Sequence, residues 1–285
     1  MSQSSVERLR KAIDDLASRA AELVRGLHVA TFESGAVIYV GPQHYFTDLT
    51  PEQMNVQLGL KRDYDRWIER VRLLLSSAPK RLEADIKKAD DACRRWIELS
   101  SNWSIRPNPN HNVQHLRGDF AGAAELLNIL GPDDGRIFVV PDTNSLLASA
   151  NPTIYRMPAG RDEFFFVLTP TVLRELDELK VLHRNPDVRE KAQKAVTRIK
   201  GWRNQGNLLN GVVVDRTITV TAIAEEPQMQ ATLSWLDPTN ADDRIIASVL
   251  LIEAKFPASQ VLLVTGDINL QNKADAAQVS TAELP

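Results

Sequence analysis

The sequence predicts a mixed α/β protein, with a mainly α-helical N-terminal part followed by an α/β part whose sheet is mainly parallel. Over the first hundred residues, apolar side chains recur at steps of three and four, as they do on amphipathic helices. From Arg136 onward, short apolar runs alternate with helical patterns, which is typical of a parallel sheet. No apolar run approaches the roughly 20 residues of a membrane helix.

The first helix is predicted over residues 5–27, where the apolar residues follow a heptad-like spacing. They are Val6, Leu9, Ile13, Leu16, Ala20, Leu23 and Leu27. A small strand pair is predicted within Thr31–Val40. The seven apolar residues of the first helix form a short heptad seam, so a packed helical hairpin and a coiled coil both fit it.

A helical hairpin is predicted next, over residues 52–100. Thr50 and Pro51 suit an N-cap and a first helical residue. Two amphipathic patterns follow, and Pro79 interrupts them.

The segment after the hairpin is predicted to be a linker, because SNWSIRPNPNHNVQH contains two prolines and four asparagines. Only a short helix, about Phe120–Ile129, is predicted before the next turn. We therefore expect a helical domain over 1–101, a linker with this helix over 102–135, and an α/β domain over 136–285.

Five short apolar runs in the α/β part are predicted strands: Ile137–Val140, Phe164–Leu168, Val212–Val214, Ile218–Val220 and Val261–Val264. The intervening segments are predicted helices. One begins in DTNSLL, one follows Thr169-Pro170, and two cover Pro186–Trp202 and Ala241–Ala254.

Acidic residues stand at four places in this part. Asp142 and Asp267 come after predicted strands, Glu175 lies in a helix, and Asp242 and Asp243 open another. Ligands of parallel sheets bind beyond the carboxyl ends of the strands. Carboxylates gathered there need a positive partner, and oxygen ligands favour Mg²⁺ or Mn²⁺. A simpler interpretation remains for Asp142 and Asp242, since both also suit helix N-termini.

These motifs resemble a PIN domain over about residues 136–280. The resemblance depends on DTN after a strand, Glu175 in VLRELDELK, the aspartate pair before an apolar helix, and TGDINLQNKA after the last strand. It implies an α/β/α sandwich and a Mg²⁺- or Mn²⁺-dependent ribonuclease.

The resemblance also implies the roles of the acidic residues. Asp142, Asp243 and Asp267 would ligate the metal, and Glu175 would ligate it or orient the attacking water. The third acidic position is doubled, so Asp242 is kept as a further ligand. The DRIIAS continuation favours Asp243 as the catalytic one.

Polar neighbours of the acidic motifs are candidates for substrate binding. Asn144 and Thr265 could hold the scissile phosphate or the carboxylates in place. Arg244 and Lys273 could contact phosphate or pair with an acidic side chain.

A basic face is predicted on the helix that begins at Pro186. Lys191, Lys194 and Arg198 share it by their spacing. They form either a track for the RNA backbone or an ordinary solvated surface.

Taken together, the sequence predicts a cytoplasmic endoribonuclease acting on single-stranded RNA. The lone Cys93 fits a reducing compartment, and a net charge of −3 leaves only local patches for nucleic acid. The N-terminal helices are candidates for partner binding or self-association. Three alternatives stay open: a non-catalytic RNA- or protein-binding module, a structure-specific DNA nuclease, and a toxin of a toxin–antitoxin pair. A zinc site at His111 and His115 has little support, because no third ligand stands out.

Overall fold

The computed structural model describes residues 3–32, 41–76 and 78–285. The chain divides into two units: the first is Val6–Gly131, and the second is Pro132–Pro285 together with residues 3–5. The first is mainly helical and the second contains a six-stranded, mostly parallel sheet with helices, so the predicted fold class is confirmed. Among the described residues, no helix combines the length and apolarity of a membrane span.

The N-terminal unit is built mainly from helices. Its described elements are α1 (Ser5–Arg25), β1 (Val29–Thr31), β2 (His44–Phe46), α2 (Pro51–Leu74), α3 (Arg81–Ile97), α4 (Pro109–Glu125) and a 3-10 helix (Leu126–Leu130). All seven residues of the predicted heptad seam are buried, which confirms the first helix and its apolar face.

The predicted strand pair is found in part. The strands β1 and β2 are antiparallel, with Thr31 opposite His44. Most of the predicted Thr31–Val40 pair, residues 33–40, lies outside the described residues.

The helical hairpin follows the sequence closely. Thr50 caps α2, since its hydroxyl accepts a hydrogen bond from the Gln53 amide at 3.3 Å and its own amide donates to Gln53 Oε1 at 2.9 Å. Pro79 lies between the end of α2 and the start of α3, as predicted. Trp67 is fully buried and its indole donates to the Leu9 carbonyl at 2.9 Å, which ties α2 to α1.

The predicted linker was wrong in its central part, because α4 begins inside it. Asn108 caps this helix by accepting from the Asn110 amide at 3.0 Å, and Pro109 occupies its first turn. Proline costs nothing there, since a first-turn amide has no intrahelical partner. The helix then buries apolar residues at steps of three and four: Val113, Leu116, Phe120 and Ala123.

The C-terminal unit alternates strands and helices. Its first elements are β3 (Ile137–Pro141), α5 (Thr143–Ala148), a 3-10 helix (Pro152–Tyr155), α6 (Arg156–Ala159), β4 (Phe164–Leu168), α7 (Pro170–Leu182), α8 (Pro186–Gln205), β5 (Val212–Asp215) and β6 (Ile218–Ala222). The remaining elements are a 3-10 helix (Met229–Ala231), α9 (Ala241–Lys255), β7 (Gln260–Val264), α10 (Ile268–Ala276) and β8 (Ser280–Ala282).

The sheet has the strand order β5-β6-β4-β3-β7-β8, and only the β5–β6 pair is antiparallel. All residues of β3 are buried, as its apolar run predicted. The edge strand β8 was not predicted, because SerThrAla is half-buried and has no apolar run. Helices α5, α7 and α8 pack on one another, and α9 packs on β7. The five predicted strands are all confirmed.

Candidate active site

The carboxyl ends of β3 and β7 bring Asp142 and Asp267 to the same edge of the sheet. The two strands are parallel neighbours, with Pro141 opposite Val264. The Asp142 amide continues this pairing by donating to the Val264 carbonyl at 3.0 Å. The prediction that both aspartates would follow strands and meet in space is therefore confirmed by the sheet.

A single buried hydroxyl links the two aspartates. Thr265 Oγ1 donates to Asp142 Oδ2 at 2.6 Å and accepts from the Asp267 amide at 3.0 Å. Thr265 is fully buried. Of its two roles considered from the sequence, phosphate contact does not fit this burial, whereas holding the carboxylates does.

Both aspartates are helix N-caps as well. Asp142 Oδ1 accepts from the Ser145 amide at 2.7 Å, at the start of α5. Asp267 Oδ1 accepts from the Asn269 and Leu270 amides at 2.7 and 3.2 Å, at the start of α10. Each cap uses one carboxylate oxygen and fixes the direction of the side chain. Capping and a place at the site are therefore compatible.

A pocket of about 460 Å³ lies at this edge. Four of the five predicted acidic residues line it: Asp142, Glu175, Asp242 and Asp267. Asn144 lines it too, from the first turn of α5. The remaining lining residues are Thr143, Glu178, Leu179, Leu182, His183, Ile245 and Leu270.

The charges around Glu175 are crowded. Burial raises the pKa of the Glu175 carboxyl, and the negative charges of Asp242 and Asp142 raise it further. A hydrogen bond from the Thr143 hydroxyl and the charge of Arg244 work in the opposite direction. The carboxylates thus repel one another across the pocket, and a bound cation would relieve that repulsion.

The two adjacent aspartates, Asp242 and Asp243, lie in different environments. Asp242 lines the pocket, whereas Asp243 does not and is only 5% exposed. Asp243 Oδ1 lies 2.7 Å from Lys273 Nζ, and its Oδ2 accepts from the Asp237 amide at 2.9 Å. Lys273, considered from the sequence as a phosphate contact or an acid partner, has the contacts of an acid partner.

The donor set fits a hard divalent cation. The five lining acidic residues, the four predicted ones and Glu178, offer carboxylate oxygens, which Mg²⁺ and Mn²⁺ prefer over nitrogen or sulfur ligands. In the described part of the chain, no three Asp, Glu, His or Cys side chains stand grouped closely enough to form a ready-made metal site. Their oxygens are partly engaged in caps and hydroxyl contacts, so binding would draw the carboxylates together.

The predicted basic residues lie outside the pocket lining. Lys191, Lys194 and Arg198 are exposed on α8, and Lys194 pairs with Glu190 at 2.7 Å. Arg244 is half-buried on α9 and acts on the site through its charge near Glu175.

Three polar lining residues had no part in the sequence prediction: Thr143, Glu178 and His183. Glu178 could have been found by helical spacing, because it lies three residues after Glu175 and shares its face. His183 follows the last residue of α7, where spacing no longer predicts direction.

The comparisons with known proteins agree with this geometry. Residues 139–284 match the family model described as the PIN domain, which runs from the middle of β3 to beyond the end of β8 and includes every residue of the acidic set. A search of curated proteins found no match to the chain.

Proposed function

Since the chain belongs to the PIN domain family, whose members are generally nucleases that use divalent metals, we propose that it is a metal-dependent endoribonuclease. The observation that carries the proposal is the pocket lined by Asp142, Glu175, Asp242 and Asp267, together with Glu178. Five carboxylates in one pocket are costly unless they serve a cation.

The four predicted acidic residues of the pocket are the proposed ligands of Mg²⁺ or Mn²⁺. Bound there, the ion would lower the pKa of water and offset negative charge on the scissile phosphate. Asp142 is suited to be the fixed ligand, because the Ser145 amide and the Thr265 hydroxyl hold its two oxygens from different sides. Asp267 is fixed in the same way by its cap of α10.

Glu175 is proposed to orient the attacking water and to accept a hydrogen bond from it. Its carboxylate lines the same pocket as the other three proposed ligands, so it can accept a hydrogen bond from a water bound there. Water would attack phosphorus while the bond to the 3′-oxygen breaks, which leaves a 5′-phosphate and a 3′-hydroxyl. Asn144, at the pocket wall, is the proposed polar contact to the phosphate.

The exposed basic face of α8 is proposed to guide the RNA backbone. Its residues Lys191, Lys194 and Arg198 are exposed, and α8 packs on α7, the helix that carries Glu175. Phosphate contacts from Lys and Arg fix the position of a strand without reading its sequence. We expect single-stranded RNA, because only an unpaired strand can bring its backbone deep into a pocket of this size.

The main experiment follows labelled single-stranded RNA and DNA of the same sequence, with Mn²⁺ or EDTA. Wild type should cleave RNA only with Mn²⁺, and Asp142→Asn should lose most of this activity. Asp177→Asn, which changes an exposed acid on the helix of Glu175, is the matched control and should cleave normally. Cleavage in EDTA, or by Asp142→Asn at the wild-type rate, contradicts the proposal.

The same assay separates the alternatives. Preferred cleavage of DNA would replace the ribonuclease by a DNA nuclease. Absence of cleavage, together with a melting temperature unchanged by Mn²⁺, would indicate a non-catalytic module, because ligand binding to the folded state must raise stability.

The doubled aspartate is resolved by two matched variants. Asp242→Asn removes a pocket ligand, so Mn²⁺ affinity should fall. Asp243→Asn leaves the four proposed ligands in place, so it should mainly lower the stability of the metal-free protein. Equal losses of Mn²⁺ affinity in both variants would make Asp243 a ligand as well.

The N-terminal unit is proposed to bind a protein partner or a second copy of the chain. Met54 and Leu58, one turn apart on α2, are 50% and 59% exposed, so they present two adjacent apolar side chains to a partner. Light scattering of wild type and of Met54→Glu/Leu58→Glu tests this. If wild type is a monomer, self-association is excluded.

A further inference from the structure

We propose that Lys273 is a built-in cation of this site, which takes the place of a second metal ion and leaves the acidic pocket competent for one. The inference rests on the proposed metal-binding function. It concerns how many divalent ions the site holds, and which residue sets that number.

The Lys273 ammonium is surrounded by oxygens much as a metal ion would be. Its Nζ lies 2.7 Å from Asp243 Oδ1, 3.5 Å from Asp242 Oδ2 and 3.1 Å from Asn240 Oδ1. It therefore contacts both members of the doubled aspartate and the residue that caps their helix.

The ammonium is held at this position by the same helix that presents Asp267. Lys273 lies on α10, six residues after the Asp267 cap. The side chain is 27% exposed. The charge is thus part of the site itself, set by the packing of α10 beside α9.

The contact with Lys273 compensates the buried carboxylate of Asp243. Asp243 is 5% exposed, and its Oδ2 accepts a hydrogen bond from the Asp237 amide. Burying a carboxylate is costly unless a positive group lies beside it or several hydrogen bonds satisfy it. The Lys273 ammonium, 2.7 Å from Asp243 Oδ1, is such a group.

The position of the ammonium beside Asp242 and Asp243 favours one divalent ion. Six acidic residues stand at this edge, and Lys273 compensates Asp243. Asp142, Glu175, Glu178, Asp242 and Asp267 remain for the pocket. Sites that hold two metal ions place them about 3.5–4 Å apart, usually across a shared carboxylate. Here the carboxylate of Asp242, the natural candidate for sharing, already has an ammonium 3.5 Å away, and a second divalent ion beside it would meet strong repulsion.

The test is the number of Mn²⁺ ions bound per chain, measured by calorimetric titration and by the EPR signal of free Mn²⁺. Wild type should bind one. Lys273→Met, which keeps the length and removes the charge, should bind two. Lys180→Met is the matched control, because Lys180 is similarly shielded at 23% exposed and pairs with Asp177 outside the pocket, and it should bind one.

The double variant Asp243→Asn/Lys273→Met keeps the test informative if Lys273→Met alone does not fold. It removes both charges of the pair, so it should fold without metal and bind one ion. Lys273→Arg keeps the charge and should also bind one.

Two ions on wild type, or one ion on a folded Lys273→Met, overturn the inference while the metal-binding function stands. No Mn²⁺ bound by any of these proteins overturns both. If Lys273→Met folds only with Mn²⁺ and then binds two ions, the metal has replaced the ammonium, as proposed.

Discussion

Removing the Thr265 hydroxyl should destabilise the protein and weaken its metal site together. Thr265→Val keeps the shape of this fully buried side chain but deletes the donor to Asp142 Oδ2 and the acceptor of the Asp267 amide. Asp142 is only 3% exposed, so water does not readily replace the lost bond.

The magnitude follows from the two bonds. A hydrogen bond to a charged group contributes about 1.5–3 kcal/mol, and the orphaned amide adds to the loss, so we expect about 2–3 kcal/mol. For a domain of this size, that corresponds to a melting temperature lower by about 5–10 °C. Because the groups that hydrogen-bond a metal ligand orient it toward the metal, Mn²⁺ affinity should also fall, by roughly 10–100-fold.

The assay is urea unfolding in EDTA, followed by Mn²⁺ titration of the folded variant. Thr265→Ser keeps the hydroxyl and loses only a methyl group, so it should retain most of the Mn²⁺ affinity. If Thr265→Val unfolds at the wild-type urea concentration and binds Mn²⁺ as tightly, the hydroxyl does not organise the aspartates and the reasoning is refuted.

Three further predictions concern charge and burial. The pKa of Glu175 in the folded protein is raised above its ordinary 4.5, so metal-free wild type should lose stability as pH rises from about 4.5 through the raised value. Glu175→Gln should not show this loss. A wild-type urea midpoint that stays constant across this pH range would contradict the prediction. The pair Lys194→Glu/Arg198→Glu should lower the slope of log RNA affinity against log salt, by roughly 0.7 for each lost phosphate contact, and an unchanged slope would show that α8 is a solvated face. Burial raises the pKa of the Cys93 thiol to about 12, so at pH 8 iodoacetamide should label the folded protein far more slowly than the urea-unfolded protein. Rapid labelling of the native state would mean that α3 is not packed as described.

The C-terminal fold could be predicted because its local signals agree. Apolar β-branched runs of about five residues give strands, and helix starts such as Thr169-Pro170 follow directly. Asp142 and Asp267 were found because the ends of parallel strands meet at one edge, a rule that needs only the order of strands.

Other features depend on distant contacts that no local pattern reports. The first part of helix α4, before Phe120, was missed because prolines and asparagines were interpreted as breakers. Here Asn108 and Pro109 start a helix. The side chain of Asn112 is buried, where it accepts a hydrogen bond from the Arg106 backbone amide and donates one to the Arg106 carbonyl. Spacing alone cannot distinguish such a cap from a loop.

The choice between neighbouring aspartates illustrates the same limit. Adjacent residues on a helix point about 100° apart, so only one of Asp242 and Asp243 can face a given pocket. The motif favoured Asp243, whereas the structure places Asp242 on the pocket wall and Asp243 against Lys273. That outcome depends on α10, whose lysine comes from a segment thirty residues further along the chain.

The central claim is that these carboxylates hold a divalent ion, and an anomalous difference map from crystals soaked in Mn²⁺ tests it most directly. The account predicts one strong peak within ligand distance of Asp142 and Asp242, which should be absent from crystals of Asp142→Asn. A strong peak elsewhere on the protein with none in this pocket, at millimolar Mn²⁺, would contradict it.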